Sequence, residues 1–279
     1  MRPMSLCFTI FGDYLRDLNV EIWVGSLISY LEPFGISPGL TRVTLSRMAQ
    51  SGWVTSRRIG QKSYYRMSDK GKRRTLDGVT RVYDEEEERW DRNWQIISCD
   101  FVDIDKERRE VITRELQWMG FGYLGSSTWI SPHQRYGQLK LMVDEYEMQD
   151  QIHVFTGMYE GIGSPYDLVN KAWNIASIEE KYQSFLDEFS LKFQRVHQLG
   201  VQDLLTEIQA FVERAALVHE YRKFLFIDPR LPRELLPVDW VGEQARKLFK
   251  RYYNFVSPLA EKFFYEHLEI GNTSDVVGS

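Results

Sequence analysis

An α+β fold in three successive modules is what this 279-residue sequence predicts, on three observations. Basic charge is concentrated near the start of the chain. A hairpin signal follows three short helical segments. Strand and helix signals then alternate before the chain turns mainly helical.

The charge pattern is the sharpest of the three. The formal net charge is -5, yet residues 1–83 carry 13 Lys and Arg against 6 Asp and Glu, and the remainder carries 22 against 34. Between Arg42 and Arg74, ten basic residues stand against Asp69 alone. A basic module on an acidic body suits local contact with a polyanion, with the body held away from it.

In chain order, residues 5–15 and 21–31 read as short helices, the second with Ile22, Trp23, Leu27, Ile28 and Leu31 at helical spacing. Pro33 and Gly35 end it, and Ser37-Pro38-Gly39 opens a third helix in which Leu45, Met48 and Ala49 share a face. Gly52 stops that helix. Residues 53–67 hold two β-prone runs around Gly60, a hairpin signal, and Ser68 opens a basic helix reaching about Val82. Three helices and a hairpin are the plan of a winged helix-turn-helix, whose third helix enters the DNA major groove.

The acidic residues 84–88 read as a solvated helix face or linker. Beyond them come a strand at 95–102, a helix at 106–119, a strand region at 122–130, a helix at 132–148 and a strand at 151–158. That alternation is a ferredoxin-like pattern. Residues 161–166 lead into a mainly helical region, with helices expected at 178–193, 201–226 and 242–255 and breaks at Pro229, Pro232 and Pro237. The expected domains are residues 1–83 (winged helix-turn-helix), 84–160 (ferredoxin-like) and 161–270 (helical), with 271–279 a flexible tail.

If Leu45, Met48 and Ala49 face the core, Val43, Ser46, Arg47 and Gln50 point outward, with Arg42 and Thr44 on the flanks. Arg suits guanine, Gln suits adenine, and Val suits a thymine methyl. Around the hairpin, Arg57, Arg58, Lys62 and Arg66 lie within reach of phosphates, and Tyr64 has a hydroxyl to donate to one. The expected partner is double-stranded DNA. The plainer alternative is a solvated basic face.

Other classes find less support. Cys7 and Cys99 are far apart in apolar surroundings and fit buried free thiols of a reducing compartment. No run of about 18 apolar residues spans a bilayer. The apolar run at the N-terminus is broken by Gly12-Asp13, too early for a signal segment, so a cytoplasmic protein is expected. The five histidines are scattered without ligand spacing, and no nucleophile elbow or phosphate loop occurs, so no catalytic residue, metal or cofactor is expected.

One enzyme reading competes. Asp100 and Asp103 close the first strand of the middle module, which is similar to the small CRISPR-adaptation nuclease family, where such a residue holds a metal at a dimer seam. No dense set of His, Asp and Glu accompanies them, and the likeness is read as shared architecture. A third class is a ligand-sensing protein that binds partners and no DNA.

Several runs together resemble the PaaX family, repressors of phenylacetate degradation. They are Phe11-Gly12-Asp13-Tyr14, Ile22-Trp23-Val24-Gly25-Ser26-Leu27-Ile28, Pro33-Phe34-Gly35-Ile36 and Arg47-Met48-Ala49-Gln50-Ser51-Gly52-Trp53-Val54. The run from Ser56 to Arg66 resembles that family's wing, and Trp90-Asp91-Arg92-Asn93-Trp94 its junction to the middle domain. Tyr221-Arg222-Lys223-Phe224, Asp228-Pro229, Leu231-Pro232 and Leu235-Leu236-Pro237-Val238-Asp239-Trp240 resemble its C-terminal signature. One departure is Gly39-Leu40-Thr41-Arg42-Val43-Thr44-Leu45, where a Val-Arg-Thr-Ser-like order is expected. The resemblance implies a homodimeric repressor of catabolic promoters, released from DNA by phenylacetyl-CoA.

An acyl-CoA needs an apolar slot and cations for its phosphates. In the acidic body, Arg222 and Lys223 form one cationic cluster, beside Tyr221 and Phe224 and close to His219. These three, His219, Arg222 and Lys223, are the expected effector contacts. The alternative is a snorkelling pair beside core aromatics.

Overall fold

A computed structural model describes residues 1–15, 20–83, 90–102 and 104–271, with the backbone alone at 74, 76, 77, 79 and 80. The expected tail (all but Gly271), the acidic run 84–88 and Asp103 lie outside the described residues. The fold is α+β, and its chain divides into two units. The first contains Met1–Asp84, Phe185–Arg222 and Arg246–Ser279; the second contains Glu85–Ser184 and Lys223–Ala245.

The first unit begins with α1 (Pro3–Tyr14), a two-residue strand β1 (Ile22–Trp23) and α2 (Val24–Leu31). A short 3-10 turn over Glu32–Phe34 leads to α3 (Pro38–Gln50), where the Ser37 hydroxyl accepts the Leu40 amide and Pro38 fills the first turn. Strands β2 (Val54–Ile59) and β3 (Lys62–Met67) form the hairpin, registered from Val54 opposite Met67 to Ile59 opposite Lys62. Gly60, at φ 59, takes the left-handed position of its two-residue turn. β1 pairs with β3, giving a three-stranded antiparallel sheet in the order β1-β3-β2. Residues 21–23, expected at the start of a helix, are therefore extended, because Ile22 and Trp23 pair with Tyr65 and Tyr64.

Helix α4 (Asp69–Tyr83) follows from Ser68, whose hydroxyl accepts the Gly71 amide and donates to the Gly52 carbonyl. Gly71 is fixed by space: a Cβ there would lie 2.3 Å from the Trp53 carbonyl oxygen. Backbone cannot yield as a side-chain tip can. Gly71→Ala is expected to destabilise the unit by about 1–3 kcal/mol, checked by urea unfolding of the purified variant.

The second unit is built on a four-stranded antiparallel sheet. Its elements are β4 (Asn93–Cys99), α5 (Lys106–Trp118), β5 (Gly122–Gly125), β6 (Thr128–Ser131), α6 (Tyr136–Glu145) and β7 (Ile152–Met158), with strand order β5-β6-β4-β7. This is the ferredoxin-like arrangement. The single strand region expected at 122–130 is a hairpin, because Gly125, Ser126 and Ser127 all take positive φ (102, 49 and 60) and reverse the chain. No Asn-Gly or Asp-Gly pair announces that turn. Ile97, Cys99, Ile112, Leu116, Phe121, Trp129 and Leu139 fill the core between sheet and helices.

The last third is helical, with boundaries that differ from the expected ones. α7 (Pro165–Ala172) starts at a capping box between Ser164 and Asp167, and α8 (Ile175–Val201) runs longer than its apolar periodicity suggests. α9 (Glu207–Tyr221) starts at a second capping box, Thr206 with Gln209, which splits the helix expected at 201–226. Turns over Arg222–Phe226 and Arg233–Leu235 precede α10 (Val241–Glu266), which continues through Pro258 to Glu266.

Within the first unit, α1 packs on α9. Tyr14 and Tyr30 each stack on Phe264 of α10, with ring centroids 4.8 and 4.9 Å apart, and the Tyr30 hydroxyl donates to the Phe264 carbonyl at 2.8 Å. Cys7 and Cys99 are both free and buried, and burial pushes each thiol up to about 12.

Candidate nucleic-acid interface

Helix α3 has two faces. Thr41, Thr44, Leu45 and Met48 are buried, whereas Arg42, Val43, Ser46, Arg47 and Gln50 are exposed at intervals of three and four residues. That outward set is one contiguous strip. Val43, an apolar residue, is 47% exposed within it. Neither Arg42 nor Arg47 has an ion-pair partner among the described residues. Thr44 does not belong to the strip. It is 5% exposed, and its hydroxyl donates to the Leu40 carbonyl at 2.8 Å, so this expected flank residue is part of the helix's inner side.

The wing residues divide by strand register. Residues opposite one another in an antiparallel pair share a face, and successive residues alternate. Arg57, Lys62, Tyr64 and Arg66 therefore share one face with Trp23, and Arg58 is on the other. On the shared face, two carboxylates are already present. Glu21 accepts the Arg57 Nε at 2.8 Å and its Nη2 at 2.7 Å. Glu269 accepts the Lys62 ammonium at 2.7 and 2.8 Å and the Tyr64 hydroxyl at 2.9 Å. The Lys62 ammonium also lies over the Trp23 ring, 4.5 Å from its centroid.

These contacts shift the acidity of the groups that make them. Hydrogen bonds from Lys62 and Tyr64 hold the Glu269 carboxyl below its ordinary value, and Glu269 in turn raises Lys62 and Tyr64. A depressed carboxylate contributes above its ordinary pKa and is lost as pH falls through the folded value. The Glu269 contact is thus fully charged across neutral pH. Among the described residues, Arg58 and Arg66 donate only to neutral groups, the Gly60 carbonyl at 3.1 Å and the Thr55 hydroxyl at 3.4 Å. Nothing in the local sequence of the wing signals Glu269, which follows Tyr64 by 205 residues.

The expected effector contacts are brought together in part. His219 is buried with its Nδ1 3.0 Å from the Thr9 hydroxyl, and Arg222 donates from Nε to that same hydroxyl at 2.9 Å. Arg222 Nη2 reaches the Ser5 carbonyl at 2.8 Å and the Ser5 hydroxyl. Burial lowers the Arg222 pKa. Both side chains thus hold α1. Lys223 is exposed and belongs to the second unit.

Sequence reasoning gave no role to Asp13. Its carboxylate is fully buried and accepts Arg214 Nε at 2.9 Å, Arg214 Nη2 at 3.1 Å, Tyr83 at 2.6 Å and Tyr253 at 2.8 Å. Arg214 extends the network to Glu261 at 2.9 Å and lies over the rings of Tyr14 and Tyr253. Burial works against the Arg214 charge, and Asp13 outweighs it, so the guanidinium stays charged. One carboxylate therefore ties α1 to α4, α9 and α10.

Asp100 spends one carboxylate oxygen on the Val102 amide at 3.0 Å, beside a cavity of 110 Å³ lined also by Ile104, Arg108, Met148 and Gln151. Among the described residues, no group of three or more His, Cys, Asp or Glu is placed to hold a metal. Nor is any helix among the described residues long and apolar enough to cross a membrane.

Family models match nearly the whole chain. The PaaX-like protein model covers residues 2–71, that of the PaaX protein central Cas2-like domain covers 87–169, and that of the PaaX-like protein C-terminal domain covers 173–266. Transcriptional repressor PaaX of Escherichia coli (strain K12) is 32% identical over 265 residues, which span 94% of this chain and 83% of that one. The chain belongs to the PaaX-like family. A solved structure, the uncharacterized protein Rv0674 from Mycobacterium tuberculosis, superposes with a TM-score of 0.60 at 23% identity. That match covers 95% of this chain and 99% of the other, and it speaks for the fold alone. Within the PaaX-like chain, Phe11-Gly12-Asp13-Tyr14 now has a structural reason, since Asp13 and Tyr14 both contact Arg214.

Proposed function

We propose that this PaaX-like chain is a cytoplasmic, non-enzymatic transcriptional repressor that binds operator DNA and is released by an acyl-CoA. The observation that carries the reading is the exposed strip of Arg42, Val43, Ser46, Arg47 and Gln50 on α3, in a chain 32% identical to a protein named a transcriptional repressor. In this reading residues 1–83 form the DNA-binding module, and 84–160 and 161–270 are the middle and helical C-terminal modules that between them dimerise and sense. The strip lies in the major groove. Arg58 and Arg66 hold phosphates first, and Arg57, Lys62 and Tyr64 join when their carboxylate partners give way. A homodimer places two such modules on a palindromic site.

The regulated genes are those for catabolism of an aromatic acid, phenylacetate, and the effector is its thioester, phenylacetyl-CoA. Of the nominated residues His219, Arg222 and Lys223, the first two suit such a signal for a physical reason. His219 and Arg222 bond Ser5 and Thr9 of α1, so an anion that draws Arg222 away loosens the first helix of the DNA-binding module.

The test is fluorescence anisotropy of the full chain on the DNA flanking its own gene, with and without phenylacetyl-CoA. The expected result is specific binding released by the thioester and untouched by free phenylacetate or free CoA. Binding that ignores the thioester removes the effector assignment and leaves the DNA reading standing.

A further inference from the structure

Residues 268–271 leave α10 and run along the free edge of β1. The Trp23 amide donates to the Glu269 carbonyl at 2.9 Å, the Gly271 amide to the Glu21 carbonyl at 2.8 Å, and Ile22 bridges antiparallel to Ile270. The Glu269 amide donates to the Ser26 hydroxyl at 2.9 Å. This segment therefore extends the sheet beyond β1 and delivers the Glu269 carboxylate to the face that carries Lys62 and Tyr64. Two features make the contact exchangeable. The Lys62 and Glu269 side chains are 47% and 37% exposed, so water and salt screen the pair. The backbone attachment lies at a sheet edge, where two backbone–backbone hydrogen bonds are described and the Glu269 amide adds one to the Ser26 hydroxyl.

We infer that the segment 268–271 is an intramolecular latch on the wing, with Glu269 occupying the ammonium and hydroxyl that β3 offers to a DNA phosphate. The inference rests on the DNA-binding reading above. A carboxylate and a phosphate oxygen compete for the same donors, since both are anionic acceptors at hydrogen-bond distance. Binding through Lys62 and Tyr64 then requires Glu269 to leave, and the wing holds DNA less tightly than its sequence charge suggests.

Glu269→Gln in the full chain tests this, with anisotropy on the promoter duplex across a salt series. The variant is expected to bind about two- to fivefold tighter at low salt. Its log-log salt slope is expected to steepen by about 0.9, the share of one more phosphate neutralised. Adding Lys62→Gln to the variant is expected to remove the gain. Equal or weaker binding by Glu269→Gln overturns the latch, weaker binding meaning that Glu269 positions the wing. Heparin retention provides a reading independent of any DNA sequence: the variant should elute at higher salt, and identical elution overturns the latch. If neither protein holds any duplex, the DNA-binding reading fails, and the heparin comparison still decides the latch.

Discussion

Asp13→Ala is expected to cost about 3–5 kcal/mol of stability, the range for breaking a buried ion pair from one side. The substitution takes away the buried carboxylate of Arg214, whose side chain is 4% exposed among the rings of Tyr14 and Tyr253, and leaves it only the half-exposed Glu261 as an ion-pair partner among the described residues. It also removes the Asp13 oxygen that accepts the hydroxyls of Tyr83 and Tyr253. Total stability for a domain is about 5–15 kcal/mol, so the loss is large enough to populate unfolded chains on mild heating. Urea unfolding of the full chain measures it. A double variant, Asp13→Leu with Arg214→Met, is expected to recover most of the loss, because it removes both charges together. A loss below about 1 kcal/mol for Asp13→Ala, the level of an exposed pair, would remove Asp13 from its place as the tie between α1 and the C-terminal helices.

Arg47→Ala is expected to weaken specific DNA binding by about 1–3 kcal/mol and to relax preference at one base pair. Arg47 is exposed at the middle of the outward strip of α3, so the fold should not notice its truncation. The wing offers the contrast. Arg58→Ala with Arg66→Ala is expected to weaken binding on every sequence alike and to flatten the log-log salt slope by about 1.8. Anisotropy on promoter and scrambled duplexes separates the two patterns. Equal loss on both duplexes for Arg47→Ala would place that arginine on a phosphate.

Much of the fold was legible where local chemistry decides it. Ser37-Pro38 at the start of α3, Gly60 at the hairpin tip and the apolar spacing of Leu45 and Met48 are short-range signals, and the structure has them in those places. The elements that were misread are those decided at a distance. Ile22 and Trp23 carry a helical pattern yet pair with β3, because a strand partner some 40 residues on outweighs local propensity. The hairpin of β5 and β6 turns on two serines with positive φ, which sequence rules do not anticipate.

Exposure on the candidate interface was legible to a similar depth. The outward residues of α3 follow from helical periodicity alone. The same spacing sets Thr44 on the flank, whereas its side chain is buried and its hydroxyl serves the helix backbone at Leu40. The wing cations were counted from sequence as equivalents, whereas strand register separates Arg58 from the rest, and Glu21 and Glu269 bind three of the nominated groups. Asp13, Arg214, Glu261 and Tyr253 meet across more than 200 residues of sequence, and no local pattern encodes that meeting.

The central claim is that α3 and the wing read DNA. Its most direct test is the equilibrium affinity of the full chain for a duplex spanning the promoter of its own gene, beside a scrambled duplex of the same length and composition. The account predicts binding at least about 1000-fold tighter on the promoter than on the scrambled duplex, and falling steeply with added salt. Equal affinity for the two duplexes, or no binding at low salt, would contradict it.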